Sequence, residues 1–457
     1  MHDLTSTLVA VGSPPGRGGV GCLRLSGSRA AEIGLRLFRP ASSTRGPEAS
    51  GPPCFGRFLD RDGRPLDHGY LVLFAGTASY TGEDSAELWS HGSPAVLAEL
   101  VEAAIAAGAR PAGPGEFTYR ALRNGRIDLS RAEAIRDLVG ARTLYQARLA
   151  FSQAEGAVAR RVAPLREALE EWIARAEAAV EFVEEAETHL PPGRFGGAID
   201  EAIERCTELL AGFRVGRIVH DGATLAIVGM PNVGKSSLFN RLLERDRAIV
   251  TEIAGTTRDT VEEDLDVGGI PLRLIDTAGL RAVADPVEDE GVRRAHAARA
   301  EADLVLLVLD GSLPPADDEL AALERACSEA ERGRTIVVRN KSDLPLAGDG
   351  EEVEPDAIDV SALTGEGIDE LRRELRTRLV GTGTLEDPII TDARHARSLE
   401  DARDSLTRAA SALRSGMSEE LVLEDLREAM RRLGEITGEF TTEDLYDRIF
   451  STFCIGK

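Results

Sequence analysis

The residues best suited to chemistry lie in the middle third of the chain. Gly229-Met-Pro-Asn-Val-Gly-Lys235-Ser236 follows an apolar run and precedes a helical one. Glycines at that spacing let backbone N–H groups approach phosphate at a helix N-terminus. Lys235 then reaches the outer phosphates, and the Ser236 hydroxyl becomes a Mg²⁺ ligand. Asp276-Thr277-Ala278-Gly279 closes a later apolar run, with Asp276 near the magnesium and the Gly279 amide facing a γ-phosphate. In Asn340-Lys341-Ser342-Asp343 a carboxylate can accept from both the N1–H and the 2-amino group of guanine, which adenine does not supply. Ser361-Ala362-Leu363 follows, with backbone N–H groups suited to the guanine oxygen.

Their order and spacing make these pieces one Ras-like GTP-binding domain. The expected nucleotide contacts are Asn232, Val233, Gly234, Lys235, Ser236 and Ser237 in the phosphate loop, then Thr251, Glu252, Ile253, Ala254, Gly255, Thr256 and Thr257 between motifs. Asp276, Thr277, Ala278, Gly279, Asn340, Lys341, Asp343, Ser361 and Ala362 complete the set. Thr257 is the second candidate Mg²⁺ ligand. Two departures from the Ras pattern bear on mechanism. Leu280 stands where a water-orienting glutamine is expected, and an aliphatic group cannot orient water. Glu288, Asp289 and Glu290 are the nearby carboxylates able to do so, against the plainer reading of a solvated acidic loop. Asn232, with oxygens of Thr251, Ile253 and Thr256, can surround a monovalent cation in place of an arginine finger.

Composition constrains the frame that positions these residues. At 457 residues, and about 150 per domain, the chain predicts several domains. Hydrophobic residues are 42 % and charged residues 29 %, an ordinary globular balance that excludes global disorder. The net charge of −24 argues against coating nucleic acid by bulk electrostatics, though it leaves room for a local basic groove. Five cysteines without paired spacing, no basic-then-apolar leader and no long apolar stretch predict a reduced, cytoplasmic protein without a membrane span. Of 54 basic residues only Lys235, Lys341 and Lys457 are lysine. Two of the three fall inside nucleotide motifs, where a compact ammonium matters.

Patterning divides the chain into four stretches. Residues 1–118 are Gly- and Pro-rich with strand-like runs at 8–11 and 70–74, a loop at 41–53 and a helix at 94–107, an α+β pattern. Residues 119–216 are helical: 129–190 is nearly free of Gly and Pro, Pro191-Pro192-Gly193 interrupts it, and 199–213 resumes. Residues 217–380 alternate strands (224–228, 272–275, 304–309, 335–338) with helices, predicting a parallel α/β sheet. Residues 381–457 return to helix at 393–414, 421–436 and 443–453. The α/β domain is therefore read as inserted into a discontinuous helical domain built from both flanks.

The whole chain resembles the MnmE (TrmE) family of tRNA-modification GTPases. The resemblance rests on Pro14-Pro15-Gly16-Arg17-Gly18-Gly19-Val20-Gly21, Ser79-Tyr80-Thr81-Gly82-Glu83-Asp84, Pro114-Gly115-Glu116-Phe117, Asn124-Gly125-Arg126-Ile127-Asp128-Leu129, the GTPase motifs and the ending Phe453-Cys454-Ile455-Gly456-Lys457. It implies a homodimer joined through N-terminal domains that bind a tetrahydrofolate derivative (5-formyl or methylene). It further implies potassium-activated GTPase domains that meet across the dimer. The implied partner is the FAD- and NADH-using protein MnmG, in a heterotetramer. Together they place a carboxymethylaminomethyl-type group on carbon 5 of the wobble uridine, position 34, of certain tRNAs.

Residue by residue, the resemblance puts K⁺ at Asn232, Thr251, Ile253 and Thr256, Mg²⁺ at Ser236 and Thr257, and the catalytic carboxylate at Glu288. Folate contacts fall on Arg24, Glu87, Arg126 and Lys457, each otherwise readable as a surface ion-pair member. Cys454 resembles a nucleophile, against the commoner reading of a structural thiol. Pro286 departs locally from the pattern, and its fixed φ bears on where Glu288 sits. Two other classes compete: a GTPase switch without modification chemistry, and N-terminal and helical parts that only scaffold a dimer.

Overall fold

The computed structural model describes residues 4–41, 46–181, 192–246, 262–276, 302–326, 333–347, 356–381 and 390–456. By compactness it divides into two units. One comprises residues 1–136, 153–166 and 430–457, the other residues 137–152 and 167–429.

The first unit is built on a seven-stranded sheet in the order β3-β4-β5-β6-β2-β1-β7. These strands are β1 (Leu8–Val11), β2 (Gly18–Ser26), β3 (Phe38–Pro40), β4 (Cys54–Leu59), β5 (Pro65–Phe74), β6 (Ser85–Gly92) and β7 (Arg110–Pro111). Alternation does the work here. Leu23 and Leu25 of β2, Leu71 and Leu73 of β5, and Ala86 and Leu88 of β6 face one side and bury against α1 (Ala30–Arg36) and α2 (Pro94–Ala106). Pro94 starts α2 where its missing N–H costs nothing, and Gly108, at φ +107°, follows its end. Farther along, α3 (Glu116–Arg123) and α14 (Glu443–Phe450) share a core of Tyr119, Leu129, Tyr446, Phe450 and Phe453.

The described part of the segment 129–190, read as a long helical region, is three helices: α4 (Leu129–Gly140), α5 (Leu144–Ala154) and α6 (Ala157–Glu181). The break before α6 falls at Gly156, whose φ of +89° no helix tolerates. Pro192 opens a helix: α7 runs Pro192–Ala211, its start seven residues earlier than periodicity placed it, and α8 (Phe213–Asp221) follows.

The second unit carries a six-stranded sheet in the order β13-β12-β11-β8-β10-β9. Its strands are β8 (Ala223–Val228), β9 (Glu262–Val267), β10 (Ile270–Asp276), β11 (Leu304–Asp310), β12 (Thr335–Asn340) and β13 (Ile358–Asp359). The neighbours β10-β8-β11-β12-β13 are parallel, as expected. The edge strand β9 corrects the all-parallel expectation, because it pairs antiparallel with β10 through a Gly268-Gly269 hairpin. Its sequence, Glu-Glu-Asp-Leu-Asp-Val, carries the charge typical of an edge and hides it from a hydrophobic pattern. Helices α9 (Lys235–Asp246), α10 (Asp317–Ala326) and α11 (Ile368–Val380) accompany the sheet. The helical remainder includes α12 (Ala393–Arg414), packed on α7, and α13 (Glu419–Thr437). Among the described residues no helix is long and apolar enough to cross a membrane, and Cys22, Cys54, Cys206 and Cys454 are free thiols.

Candidate functional site: a nucleotide cradle and a second polar site

Strand β8 ends at Val228 and the chain turns through residues 229–234 into α9. The turn needs left-handed backbone at two places, Asn232 (φ +65°) and Gly234 (φ +95°), with Gly229 at φ +152°. That alternation curls successive N–H groups inward into an anion-binding nest. The glycines are also sterically required. A Cβ on Gly229 would lie 2.3 Å from the Val308 carbonyl oxygen, and one on Gly234 would lie 2.2 Å from Asn340 Nδ2. Lys235 Nζ donates to the carbonyls of Gly229 (3.0 Å) and Met230 (2.7 Å), so the ammonium caps the loop it follows. The Ser236 hydroxyl, exposed in the first turn of α9, and the Asn232 carboxamide have no hydrogen-bond partner among the described residues.

Asn340, buried at the end of β12, joins this loop to the downstream motifs. Its Nδ2 donates to the Val233 carbonyl (2.8 Å) and its Oδ1 accepts from the Ala362 N–H (3.0 Å). Of the 361–363 N–H groups suited to the guanine oxygen, that of Ala362 is therefore taken up within the fold. The N–H of Leu363, next along, has no acceptor among the described residues. Asp343 is exposed, and its Oδ1 accepts from the buried Ser361 hydroxyl at 2.5 Å. Ser361 Oγ in turn accepts from the Thr364 N–H at 3.0 Å.

Lys341, at φ +69°, reaches Asp310 Oδ2 at 2.6 Å from the adjacent strand end. Burial alone favours the neutral form of Asp310. Hydrogen bonds from Lys341 and Ser312, with the Lys341 charge, outweigh it and hold the carboxyl below the ordinary aspartate range. Arg241 of α9 was not singled out by the sequence. It donates from Nε to the Ala362 carbonyl (2.9 Å) and from a terminal nitrogen to the Leu363 carbonyl. The structure thus brings Asn232, Val233, Gly234, Lys235, Ser236 and Ser237 together with Asn340, Lys341, Asp343, Ser361 and Ala362. Asp276 ends β10, parallel to β8, and its backbone alone is described. Thr251, Glu252, Ile253, Ala254, Gly255, Thr256, Thr257, Thr277, Ala278, Gly279 and Glu288 lie outside the described residues, as does Lys457.

The first unit holds a separate polar site. Arg24 on β2 stands directly opposite Glu87 on β6, and its Nε donates to Glu87 Oε1 at 3.0 Å. Trp89 Nε1 donates to the other Glu87 oxygen at 3.1 Å. The chain end returns to this place: Ile455 bridges to Pro114, and Arg24 Nη1 lies 3.5 Å from the Gly456 carbonyl. Gly456, at φ +94°, passes so close to β1 that a Cβ would sit 2.3 Å from the Val11 oxygen. Cys454 is exposed beside them. Among the described residues no hydrogen bond or ion pair links Arg126 to Arg24 or Glu87. The Arg126 stem packs over Gly82, and its guanidinium has no hydrogen bond or ion pair among the described residues.

The motif carboxylates Glu83 and Glu116 have structural partners instead. The fully buried Arg120 donates to Glu83 Oε2 and to the Ser6 carbonyl, both at 2.8 Å, and Arg110 grips Glu116 with two nitrogens. Burial pushes the Glu116 carboxyl toward neutrality, but the Arg110 bonds and the Gly113 N–H prevail and lower its pKa. Arg120 escaped the sequence reading because arginine is common everywhere in this chain.

Two family models cover most of the sequence. Residues 7–126 match the GTP-binding protein TrmE N-terminus, and residues 129–454 match the MnmE helical domain. Among curated relatives, a tRNA modification GTPase MnmE from Koribacter versatilis is 44% identical over the full length of both chains. The protein of that name from Aquifex aeolicus is 43% identical over 98% of this chain and 99% of its own. Another from Chloroflexus aurantiacus is 44% identical over 99% of this chain and all of its own. The sequence belongs to the MnmE family of tRNA modification GTPases.

Proposed function

We propose that this chain hydrolyses GTP in the course of modifying tRNA. The carrying observation is the pair of hydrogen bonds that ties Asn340 to Val233 and Ala362, which joins the phosphate loop and the 361–363 segment in one frame. A nest plus Lys235 suits a triphosphate, and an exposed Asp343 oriented by Ser361 suits the two donors on the guanine edge.

More finely, the reading is that of the wobble-uridine pathway. With MnmG, which carries FAD, the chain adds a carboxymethylaminomethyl-type group to carbon 5 of uridine 34, a tetrahydrofolate derivative supplying the carbon. The N-terminal domain spans residues 1–118, the helical domain 119–216 and 381–457, and the GTPase domain 217–380. The Ser236 hydroxyl, unpartnered among the described residues, fits Mg²⁺, with Thr257 as the second ligand. The Asn232 carboxamide, likewise unpartnered among the described residues, fits K⁺, joined by Thr251, Ile253 and Thr256. These cations, when bound, neutralise charge that builds on the phosphates during hydrolysis. Glu288, or else Asp289 or Glu290, holds the attacking water, since Leu280 cannot. Arg24, Glu87, Arg126 and Lys457 form the folate site: Arg126 offers an unpaired cation to a glutamate tail, and Glu87 an acceptor to a pterin ring. The working form is a cytoplasmic homodimer.

Two measurements test this. Purified chain should bind GTP in strong preference to ATP and turn it over. Cells lacking the gene should lose modified wobble uridine by nucleoside mass spectrometry. Hydrolysis with unchanged wobble nucleosides would instead favour a switch without modification chemistry.

A further inference from the structure

We propose that Arg241 is a positioning residue for guanine selectivity, acting through the two peptide groups it grips. The inference rests on the guanine-nucleotide reading above and extends it to a residue outside every motif. A trans peptide fixes the C=O of one residue and the N–H of the next in one plane, pointing opposite ways. Arg241 Nε donates to the Ala362 carbonyl at 2.9 Å, so the same contact orients the Leu363 N–H. That N–H has no acceptor among the described residues and is the donor left for the guanine oxygen. The second guanidinium contact holds the Leu363 carbonyl, and with it the Thr364 N–H. Thr364 N–H donates to Ser361 Oγ, and Ser361 Oγ donates to Asp343 Oδ1. One side chain therefore sets both halves of base recognition, the donor at Leu363 and the acceptor at Asp343.

Arg241 is suited to this by position. It projects from α9, the helix that the phosphate loop enters, and α9 is itself tied to α11 by the Arg372 bond to the Leu242 carbonyl (2.9 Å). A planar fork can hold two neighbouring carbonyls at once; a lysine ammonium at the same place has no such fixed geometry.

The test uses the full chain and four nucleotides: GDP, IDP, 6-thio-GDP and ADP. IDP lacks the 2-amino group and reports the Asp343 half. 6-Thio-GDP carries a poor acceptor in place of the oxygen and reports the Leu363 half. The parent protein should prefer GDP over both. Arg241→Met should shrink each preference by about tenfold, the scale of one lost neutral hydrogen bond, and Arg241→Lys should fall between. Equal weakening of GDP, IDP and 6-thio-GDP, with both preferences intact in either variant, would mark Arg241 as merely structural and overturn the inference alone. A parent that binds ADP as well as GDP would overturn the guanine reading and this inference with it. Should Arg241→Met fail to fold, the Arg241→Lys preferences decide.

Discussion

Asn340 Nδ2 donates to the carbonyl oxygen of Val233 at 2.8 Å, joining positions 107 residues apart at the mouth of the parallel sheet. The donor is buried, so its loss has no compensation from water. Asn340→Asp would set a carboxylate oxygen against that carbonyl, with two acceptors facing and no proton between them. A stability loss of about 1–3 kcal/mol is expected, as for a buried group left unsatisfied. GDP affinity should fall at least tenfold. Chemical denaturation and equilibrium binding on the same preparation check both.

Gly234 and Asn340 should behave as one unit. A methyl group on Gly234 would overlap Asn340 Nδ2 at 2.2 Å, and the residue's φ of +95° adds backbone strain. Gly234→Ala is therefore expected to displace the Asn340 side chain and weaken GDP binding much as Asn340→Ala does. In a double-mutant cycle the pair should cost well below the sum of the singles. Strict additivity would mean that the loop and the amide act independently.

The nucleotide cradle was legible because its chemistry is local. Lys235, Asn340 and Asp343 sit in short runs whose spacing alone states a role, and the strands β8, β11 and β12 are apolar enough to declare themselves. What escaped depends on distant partners. Arg241 looks like any other arginine until Ala362 and Leu363 arrive from 121 and 122 residues away. The return of Gly456 to Val11 leaves no periodic trace. The motifs at 79–84 and 114–117 name no partner for their glutamates, and only the fold shows Glu83 and Glu116 neutralising buried or half-buried arginines. Helix ends were misplaced where glycine or proline had two meanings, as at Pro192, which begins a helix.

Arg126 separates binding from stability. No hydrogen bond or ion pair restrains its guanidinium among the described residues, so Arg126→Ala removes little that holds the first unit together. Its thermal midpoint should stay within about 2 °C of the parent, in line with a surface substitution. Calorimetric affinity for a polyglutamylated tetrahydrofolate should drop about tenfold or more, and less for a folate without its glutamate tail. Equal affinities for parent and variant would remove Arg126 from the folate site.

Glu288 and the monovalent cation make a paired prediction on turnover. Glu288→Ala should retain GTP affinity while slowing hydrolysis by about 10²-fold or more, the scale of a lost general base. Normal turnover would pass the role to Asp289 or Glu290. Exchanging K⁺ for Na⁺ should slow the parent, and Asn232→Ala should abolish the difference between the two salts. Equal parent rates in both would dismiss the cation role.

His220 should leave a signature in the pH dependence of stability. At the end of α8, its Nε2 lies 3.0 Å from Asp137 and its Nδ1 2.7 Å from Asp221. Hydrogen bonds to Asp137 and then Asp221 outweigh the cost of burial and raise its pKa from 6.5 to about 10. A group whose folded pKa is raised stabilises fully below its unfolded value and loses that contribution as pH climbs through the folded one. The parent should therefore exceed His220→Gln by about 1.5–3 kcal/mol at pH 6, the range for hydrogen bonds to charged groups. The gap should narrow steadily above pH 6.5 and close near pH 10. Because both proteins carry every other titrating group, only the difference between their denaturation curves matters. A gap that stays constant from pH 6 to pH 10 would mean that His220 acts through packing, not through its charge.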